Sequence, residues 1–290
     1  MACTIARVKT PRIALAATLA LLVLLAAGCD GDEEAAPPPE TTTPGETTPD
    51  PGSGETTFAV YLLRDGKITA LRRSVASTPA VARASLEALL AGPNGDEKSD
   101  GLATAIPEGT MLRDLSVADG VATVDLSGEF DDGGGSASML GRVAQVVATV
   151  TQFPTIKRVA FRLDGEPVQA IGGEGVVVDP PIGRKAIEQQ SPQILIESPL
   201  PEDTVTSPIR LRGTANVFEA TVSIEVRDDT GKVVYEGFTT ATSGTGTRGT
   251  FDTTVQLPDL EGPIEIVAFE ASAEDGRPLH VAKVPVVLSR

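Results

Sequence analysis

The chain has 290 residues and a formal net charge of −16, with 40 acidic and 24 basic side chains. So large an excess of negative charge repels phosphate backbones and anionic headgroups, which argues against nucleic acid as a partner. The chain has no Trp, two Tyr and one His, which disfavours sugar-stacking lectins, single-strand nucleic-acid binders and chemistry that needs imidazole.

Residues 1–28 have the layout of a secretory signal peptide, with a basic start, an apolar run from Ile13 and small residues before Cys29. The apolar run is shorter than the ~20 residues that a membrane span needs, and no stop-transfer pattern extends it. A single transmembrane helix and an ordinary signal peptide with an incidental cysteine are the alternatives. Residues 25–29, Leu-Ala-Ala-Gly-Cys, resemble the lipobox of bacterial lipoproteins.

The lipobox resemblance implies cleavage before Cys29, a diacylglycerol on its sulfur and, where the enzyme exists, an acyl chain such as palmitate on its amino group. Several acyl chains hold a protein on a membrane, at ~0.8 kcal/mol per buried CH₂. We therefore expect a lipid-anchored protein on the extracytoplasmic face of the cell membrane. Cys3 is the other cysteine and would leave with the signal peptide, so no disulfide is expected.

Residues 29–56 are rich in Pro, Thr and Glu and almost free of apolar side chains. Such a segment cannot bury enough surface to offset the entropy of ordering, so a disordered tether is expected. Two roles stay open for this tether. It is either a spacer that lifts the folded part off the membrane or a solvated leader with no required reach.

The first folded region, residues 57–179, is predicted to be a compact α+β domain. Asp-Gly dipeptides at 65–66 and 119–120 lie between strand-like runs and indicate two β-hairpins. Helical periodicity runs from Thr78-Pro79 to a stop at 92–93, and from a turn at 131–136 to Phe153-Pro154. With a last strand over 158–163, the order is β-β-α-β-β-α-β, with two helices on one sheet.

Residues 180–192 are expected to be a linker, because the composition changes and periodicity is lost. Residues 193–290 show turn signals and no helical pattern, which is typical of an immunoglobulin-like β-sandwich. Pro285 cannot donate to a strand ladder, so it is expected on an edge or at an irregularity. Seven alternating strands are predicted, over 194–196, 209–212, 221–227, 233–239, 249–257, 264–271 and 280–288.

Longer motifs in both regions carry a resemblance to known families. In the first region they are Ala-Ile-Pro-Glu-Gly-Thr at 105–110, Asp-Gly-Val-Ala-Thr-Val-Asp-Leu-Ser at 119–127, Thr-Gln-Phe-Pro at 151–154 and Asp-Gly-Glu-Pro-Val at 164–168. Together they resemble the GerMN domain, named for a sporulation and germination protein. The second region resembles the Gmad2 immunoglobulin-like domain through Ser-Pro-Leu at 198–200, Gly-Thr-Ala-Asn-Val-Phe-Glu-Ala at 213–220 and the Ser/Gly/Thr run at 243–251.

The resemblance covers nearly all of residues 57–290. It implies surface lipoproteins without known enzymatic activity and a fold similar to the ring-building modules of secretion and sporulation assemblies. Many family members come from bacteria that never sporulate, so the family label does not fix a role in germination.

Few residues are candidates for catalysis, phosphate binding or metal binding. His280, the only histidine, lies in the last predicted strand and is expected to be an ordinary strand side chain. The Gly-rich runs at 133–136 and 172–175 lack the Lys-Ser/Thr ending of a phosphate loop and are expected to be turns, with Ser136 or Ser138 capping a helix. The acidic pairs at 131–132 and 228–229 lack the spacing of a calcium loop. No catalytic residue, cofactor or metal ligand is therefore predicted.

Two loops are candidates for contact with other molecules. The loop 92–110 is longer than most connections, and loops of that size often carry function. The run 241–250 offers hydroxyls and one positive charge between two sandwich strands. Packing of Ile106 onto the sheet and a plain hairpin, respectively, are the alternatives. The candidate contact residues are Ile106, Pro107, Glu108, Gly109, Thr245, Thr247 and Arg248.

The sequence thus predicts a membrane-anchored, non-catalytic binding or scaffold protein of the bacterial cell envelope. Envelope proteins are the first choice of partner and peptidoglycan is the second, while self-association stays open. The alternative from another class is an envelope enzyme that processes peptidoglycan or another glycan. A catalytic pair of carboxylates could always be nominated among 40 acidic residues, so nominating one has no value.

Overall fold

The computed structural model describes residues 54–172 and 175–290. The predicted signal peptide, Cys29 and the predicted tether up to residue 53 lie outside the described residues, as do Gly173 and Glu174. Within the described part of the chain, no helix combines the length and the apolar character needed to cross a bilayer.

The first region has the predicted order of strands and helices, with α1 starting at Val81 rather than at Pro79. It also contains short elements that periodicity did not predict. One of them, α2 (Gly95–Ser99), begins with a capping box, in which Asn94 and Glu97 each accept the other's backbone N–H at 2.9 and 2.8 Å. The elements are β1 (Glu55–Arg64), β2 (Lys67–Ala76), α1 (Val81–Leu90), α2 (Gly95–Ser99), β3 (Leu102–Ala103), β4 (Leu112–Ala118), β5 (Val121–Leu126), a 3₁₀ turn (Gly128–Asp131), α3 (Ser136–Val150), β6 (Arg158–Leu163), β7 (Glu166–Pro167), β8 (Ala170–Ile171) and β9 (Val176–Val177).

Both predicted Asp-Gly hairpins are confirmed. Asp65 and Gly66 join β1 to β2 with φ of 51° and 73°, and Asp119 and Gly120 join β4 to β5 with φ of 50° and 75°. Two successive left-handed residues are what a type I′ turn requires, and its twist matches that of the flanking strands. A third such turn at 164–165 joins β6 to β7.

The strands of this region form two main sheets and the separate β8-β9 pair, where a single sheet was expected. One sheet has the order β2-β1-β3 and the other has the order β4-β5-β6-β7, with β5 and β6 parallel. The reason lies in α3, which is buried on almost every side from Met139 to Val150. A helix that is buried on every side needs neighbours on every side, and α3 contacts β1, β2, β6 and α1.

The open edge of β1 is covered by side chains of α3 and its C-terminal turn. β3 pairs only with Leu63 and Arg64, so the rest of this edge has no strand partner. Gln152 accepts from the N–H of Ala59 at 2.9 Å and donates to its C=O at 2.7 Å. Two residues further along the strand, Tyr61 also has its backbone groups paired: Gln145 donates to its C=O, and its N–H donates to Thr149 Oγ1. These amide and hydroxyl groups replace a missing strand, so the edge is not available for pairing.

The second region is a two-sheet β-sandwich, as predicted. All seven expected strands are present, and a short extra strand over 204–206 pairs in parallel with the last one. The inner faces enclose a core of branched apolar side chains such as Leu211, Ile224 and Ile266. The strands are β10 (Ile194–Ser198), β11 (Thr204–Thr206), β12 (Ile209–Ala215), β13 (Thr221–Asp228), β14 (Val233–Thr240), β15 (Gly249–Val255), β16 (Gly262–Ala271) and β17 (Pro278–Ser289).

The two sheets have the orders β10-β12-β15 and β11-β17-β16-β13-β14. Pro285 lies in β17, and its C=O accepts from the N–H of Glu202 rather than from β16. Because the N and C=O of one strand residue face the same side, the proline nitrogen faces this side too, where β11 pairs only from Val287 onward. Pro285 therefore occupies an edge position, as expected.

The segment 180–192, expected to be a linker, is packed between the two regions. Ile182 pairs with Val159 of β6, and residues Arg184–Gln190 form a 3₁₀ helix that contacts α3 and buries Ile187. Leu195 and Leu200, from the start of the second region, belong to the apolar core of the first. The described residues accordingly form one compact unit.

Candidate functional site

Three polar side chains meet at the junction between the two regions. Tyr61 of β1 donates to Glu197 of β10 at 2.6 Å, and Arg184 pairs with the same carboxylate oxygen at 2.5 Å. The guanidinium also donates to Ala148 C=O at 3.1 Å and to Thr151 Oγ1 at 2.9 Å. It lies 5.2 Å from the centre of the tyrosine ring. We call these three residues, Tyr61, Arg184 and Glu197, the junction triad.

Further polar contacts surround the junction triad. Arg72 of β2 pairs with Asp203 at 3.1 Å, and Lys67 Nζ donates to Gln189 C=O at 2.5 Å. These bonds connect the first region to the 3₁₀ helix of the linker and to the sandwich. They fix the orientation of the second region on the first, because hydrogen bonds and ion pairs are directional in a way that apolar contacts are not.

We predict that the phenol of Tyr61 resists ionisation in the folded protein. Tyr61 is 1% exposed. Burial, and then the charge of Glu197, raise its pKa above the ordinary value of 10.0. The unfolded chain releases this proton near pH 10 whereas the folded chain holds it, so the free energy of unfolding should fall as the pH rises above 10. Phenolate absorbance during an alkaline titration measures the effect.

The matched controls are Tyr61→Phe and Tyr235→Phe. The resistant phenol should disappear in Tyr61→Phe and persist in Tyr235→Phe. Full ionisation of both phenols in a chain that is still folded would contradict the prediction.

The Gly-rich turn before α3 surrounds a buried arginine. Arg142 is 1% exposed and donates to the C=O groups of Phe130 at 2.5 Å, Asp132 at 3.0 Å and Gly133 at 3.1 Å. Backbone carbonyls therefore face inward onto a cation, which is the opposite of a loop that presents N–H groups to a phosphate. The expected serine cap is wrong here, since Gly135 is the N-cap residue and Ser138 Oγ accepts from Arg142 at 3.1 Å.

The first residue of each acidic pair accepts from backbone N–H groups. Asp131 accepts from the N–H of Gly172 at 2.5 Å, and Asp228 accepts from the N–H groups of Thr230 and Lys232, both at 3.0 Å. Among the described residues no group of three or more His, Cys, Asp or Glu side chains could hold a metal ion. His280 is an exposed strand residue, 3.7 Å from the carboxylate of Glu270.

The segment that was expected to be a loop over 92–110 contains α2 and β3, and it is exposed over most of 94–103 and again at 108–109. Ile106 is buried in the core of the first region, which is the packing alternative. Thr110 donates its hydroxyl to Pro107 C=O at 2.8 Å and closes a turn, in which Glu108 and Gly109 are exposed. The contact candidates that reach solvent here are therefore Glu108 and Gly109.

The loop 241–250 divides in the same way. Thr245 and Thr247 are exposed. Arg248 instead turns inward, where its Nε pairs with Glu188 at 2.9 Å and its Nη2 donates to Pro192 C=O at 2.5 Å. The positive charge that was expected to face a partner fastens the sandwich to the linker, because Glu188 supplies a carboxylate within reach.

An exposed aromatic residue lies beside the loop 241–250. Phe218 is 55% exposed, and Thr245 bonds to the same short segment through Val217 C=O at 2.9 Å and the N–H of Glu219 at 3.1 Å. Glu219 and Ala220 both have positive φ, 53° and 57°. Non-glycine residues in this conformation are strained, and such strain often accompanies functional loops.

Among the described residues, the most exposed large apolar side chain is Phe238 at 71%, and it was not singled out from the sequence. It lies on β14, an edge strand of the five-stranded sheet. The signal was present, since alternation along β14 places Phe238 on the same face as Glu236 and Thr240 rather than with Tyr235 and Gly237.

Comparison with protein families finds two models along the chain. Residues 59–169 match Germane, described as sporulation and spore germination. Residues 193–277 match Gmad2, described as an immunoglobulin-like domain of bacterial spore germination. No curated protein matches the chain.

Two solved structures share a weak similarity with the chain. The first GerMN domain of the sporulation protein GerM from Bacillus subtilis has 23% identity and a TM-score of 0.40, covering 45% of this chain and 98% of that one. The tandem GerMN domains of the same protein have 17% identity and a TM-score of 0.41, covering 70% of this chain and 61% of that one.

Proposed function

Because the chain carries a Germane domain followed by a Gmad2 domain, we propose that it is a non-catalytic, membrane-anchored scaffold of the bacterial cell envelope. Both matching families are described by sporulation or spore germination, and neither description names a reaction. In this proposal Cys29 carries the lipid, and the two domains contact other envelope proteins. Peptidoglycan is the second choice of partner.

The junction triad is the observation that best supports a scaffold. A scaffold must present its contact surfaces in a fixed relation, and the junction joins both domains into one unit through directional bonds. Two of the charged side chains that could have bound a partner instead bind groups inside the protein. Arg142 binds backbone carbonyls and Arg248 pairs with Glu188. The surfaces left for contact are loop tips with Glu108, Gly109, Thr245 and Thr247, and the exposed aromatic residues.

We predict that Cys29→Ala removes the chain from the membrane fraction of its native host, whereas Cys3→Ala, the matched control, leaves it there. Both cysteines precede the described residues, so neither change affects the folded part directly. Mass spectrometry of the mature N-terminus should find acyl chains on Cys29. In-cell crosslinking of the anchored chain should recover defined envelope proteins, and Cys29→Ala should lose most of these adducts.

Unchanged membrane partition of Cys29→Ala with normal processing would refute the anchor. Incubation of the purified chain with cell wall tests the other half of the proposal. Release of muropeptides would favour the glycan-processing enzyme and contradict the scaffold.

A further inference from the structure

β14 is a long strand edge of the sandwich that combines an open backbone with exposed apolar side chains. Among the described residues it pairs with β13 alone, in regular register from Tyr235 to Thr240. Alternate backbone N–H and C=O groups along an edge strand point away from its sheet and can pair with an added strand. Val233 and Phe238, both on β14, are 41% and 71% exposed.

Several other strand edges among the described residues are covered or irregular. The edge of β1 is covered by Gln145, Thr149 and Gln152. β10 lies against the first domain through the junction triad, and β4 has a register irregularity between Leu112 and Asp114. β14 has neither Pro nor Lys, the residues that commonly protect strand edges.

The outward face of β14 has a specific chemistry. Phe238 lies opposite Ser223 of β13, and Ser223 in turn lies opposite Phe269 of β16, so two phenylalanines flank a small residue in one row. In the next row Glu236 lies directly opposite Glu225. We call Glu236, Phe238, Ser223 and Glu225 the Phe238 face.

The charges on the Phe238 face are unbalanced. Like charges directly opposite each other in a sheet are unfavourable. Glu225 is neutralised by Arg227 at 2.7 Å, whereas Glu236 forms no ion pair with any described residue. A cation placed on the outer side of β14 would lie in line with both carboxylates, and it would offset their repulsion.

We propose that β14 is the docking edge for an extended, basic segment of a partner protein, which adds to the sheet as a further strand. This inference rests on the proposed function and names the chemistry of the partner. Residues two apart on a strand share a face, so the segment would carry Lys or Arg opposite Glu236 and an apolar side chain two positions away, against Phe238. A second copy of this chain fits poorly, because its net charge of −16 brings repulsion rather than a cation.

The test uses the purified full chain and a synthetic peptide, acetyl-Lys-Thr-Val-Thr-Lys-Thr-Val-Thr-amide, which places Lys and Val alternately on one face. We expect saturable binding that weakens with salt, because the contact is partly ionic. Glu236→Lys and Phe238→Thr should each weaken binding by about tenfold or more. Glu274→Lys, a charge reversal in an exposed turn away from β14, is the matched control and should bind as the unchanged chain does.

Two further peptides test the mechanism. A peptide with N-methylated amides along one edge cannot pair with β14 and should not bind. A peptide with Glu in place of Lys should bind Glu236→Lys better than the unchanged chain. Absence of binding by the first peptide, or equal binding by the N-methylated one, would overturn the proposal. A dimer in sedimentation that Phe238→Thr abolishes would also overturn it, because a second copy would then occupy the edge.

Failure of this inference can be told apart from failure of the proposed function. If Phe238→Thr with Glu236→Lys recovers the same crosslinked envelope proteins as the unchanged chain, the scaffold stands and the β14 edge is not its docking site. If the unchanged chain recovers no crosslinked envelope protein, the scaffold proposal fails. The peptide-binding experiment then tests by itself whether β14 binds a basic strand.

Discussion

Replacing Arg142 with Met is expected to lower the free energy of unfolding by about 3 kcal/mol or more, the largest effect of any single substitution proposed for this protein. The guanidinium donates to three backbone carbonyls and to Ser138 inside the fold. Methionine fills a similar volume but donates nothing, so these buried acceptors would each lose a partner. The turn over 128–135 would then lose the group around which it folds.

Denaturant unfolding followed by circular dichroism measures this change. Arg142→Lys should recover part of the loss, since a single ammonium keeps the charge but cannot reach three carbonyls with the geometry of a guanidinium. Arg277→Ala is the matched control, because Arg277 lies in an exposed turn and its pair with Asp275 is solvated. An unfolding midpoint for Arg142→Met equal to that of Arg277→Ala would show that the buried bonds contribute no stability.

Arg184→Ala is expected to separate the unfolding of the two domains. In the unchanged chain both domains should unfold in a single transition, because the junction triad and the shared apolar contacts of Leu195 and Leu200 connect them. Removing the arginine leaves Glu197 and Tyr61 at a half-buried junction without their cation. We expect a loss of about 2 kcal/mol, a moderate figure because solvent partly screens Arg184 and Glu197.

The two domains can be followed separately. The α-helices among the described residues all lie in the first domain, so circular dichroism in the helical region reports that domain. Hydrogen exchange of β12 and β13 reports the sandwich. A double-mutant cycle of Arg184→Ala with Glu197→Gln isolates the energy of the pair. Two transitions already present in the unchanged chain would refute the coupling, and coincident transitions in Arg184→Ala would refute the role of the arginine.

Features that depend on neighbouring residues were predictable from the sequence. An Asp-Gly pair between two strands reaches the left-handed conformations of a type I′ turn without help from the rest of the chain, and both predicted hairpins are present. The sandwich strands were recognisable because alternation with a period of two is a local property. Helix α2 was missed although its signal was local too, in the capping box of Asn94 and Glu97.

Features that depend on packing were not predictable in the same way. Arg248 was predicted to be a positive charge available for contact, and its carboxylate partner, Glu188, lies 60 positions away in the segment expected to be a linker. Tyr61 and Glu197 are 136 positions apart. Periodicity reports which side of an element is apolar, but it does not report which elements meet, so neither bond had a signal in the sequence.

The sequence by itself determined the class of each region, the order of the elements, the tight turns and the scarcity of catalytic groups. Only the tertiary structure decided that α3 separates two sheets, that the linker joins the domains into one unit, and which strand edges are covered. The physical reason is that hydrogen bonds and burial between distant segments are satisfied by the packed arrangement as a whole. The edge of β1 finds its partners in the helix that packs beside it, whereas the edge of β14 finds none among the described residues.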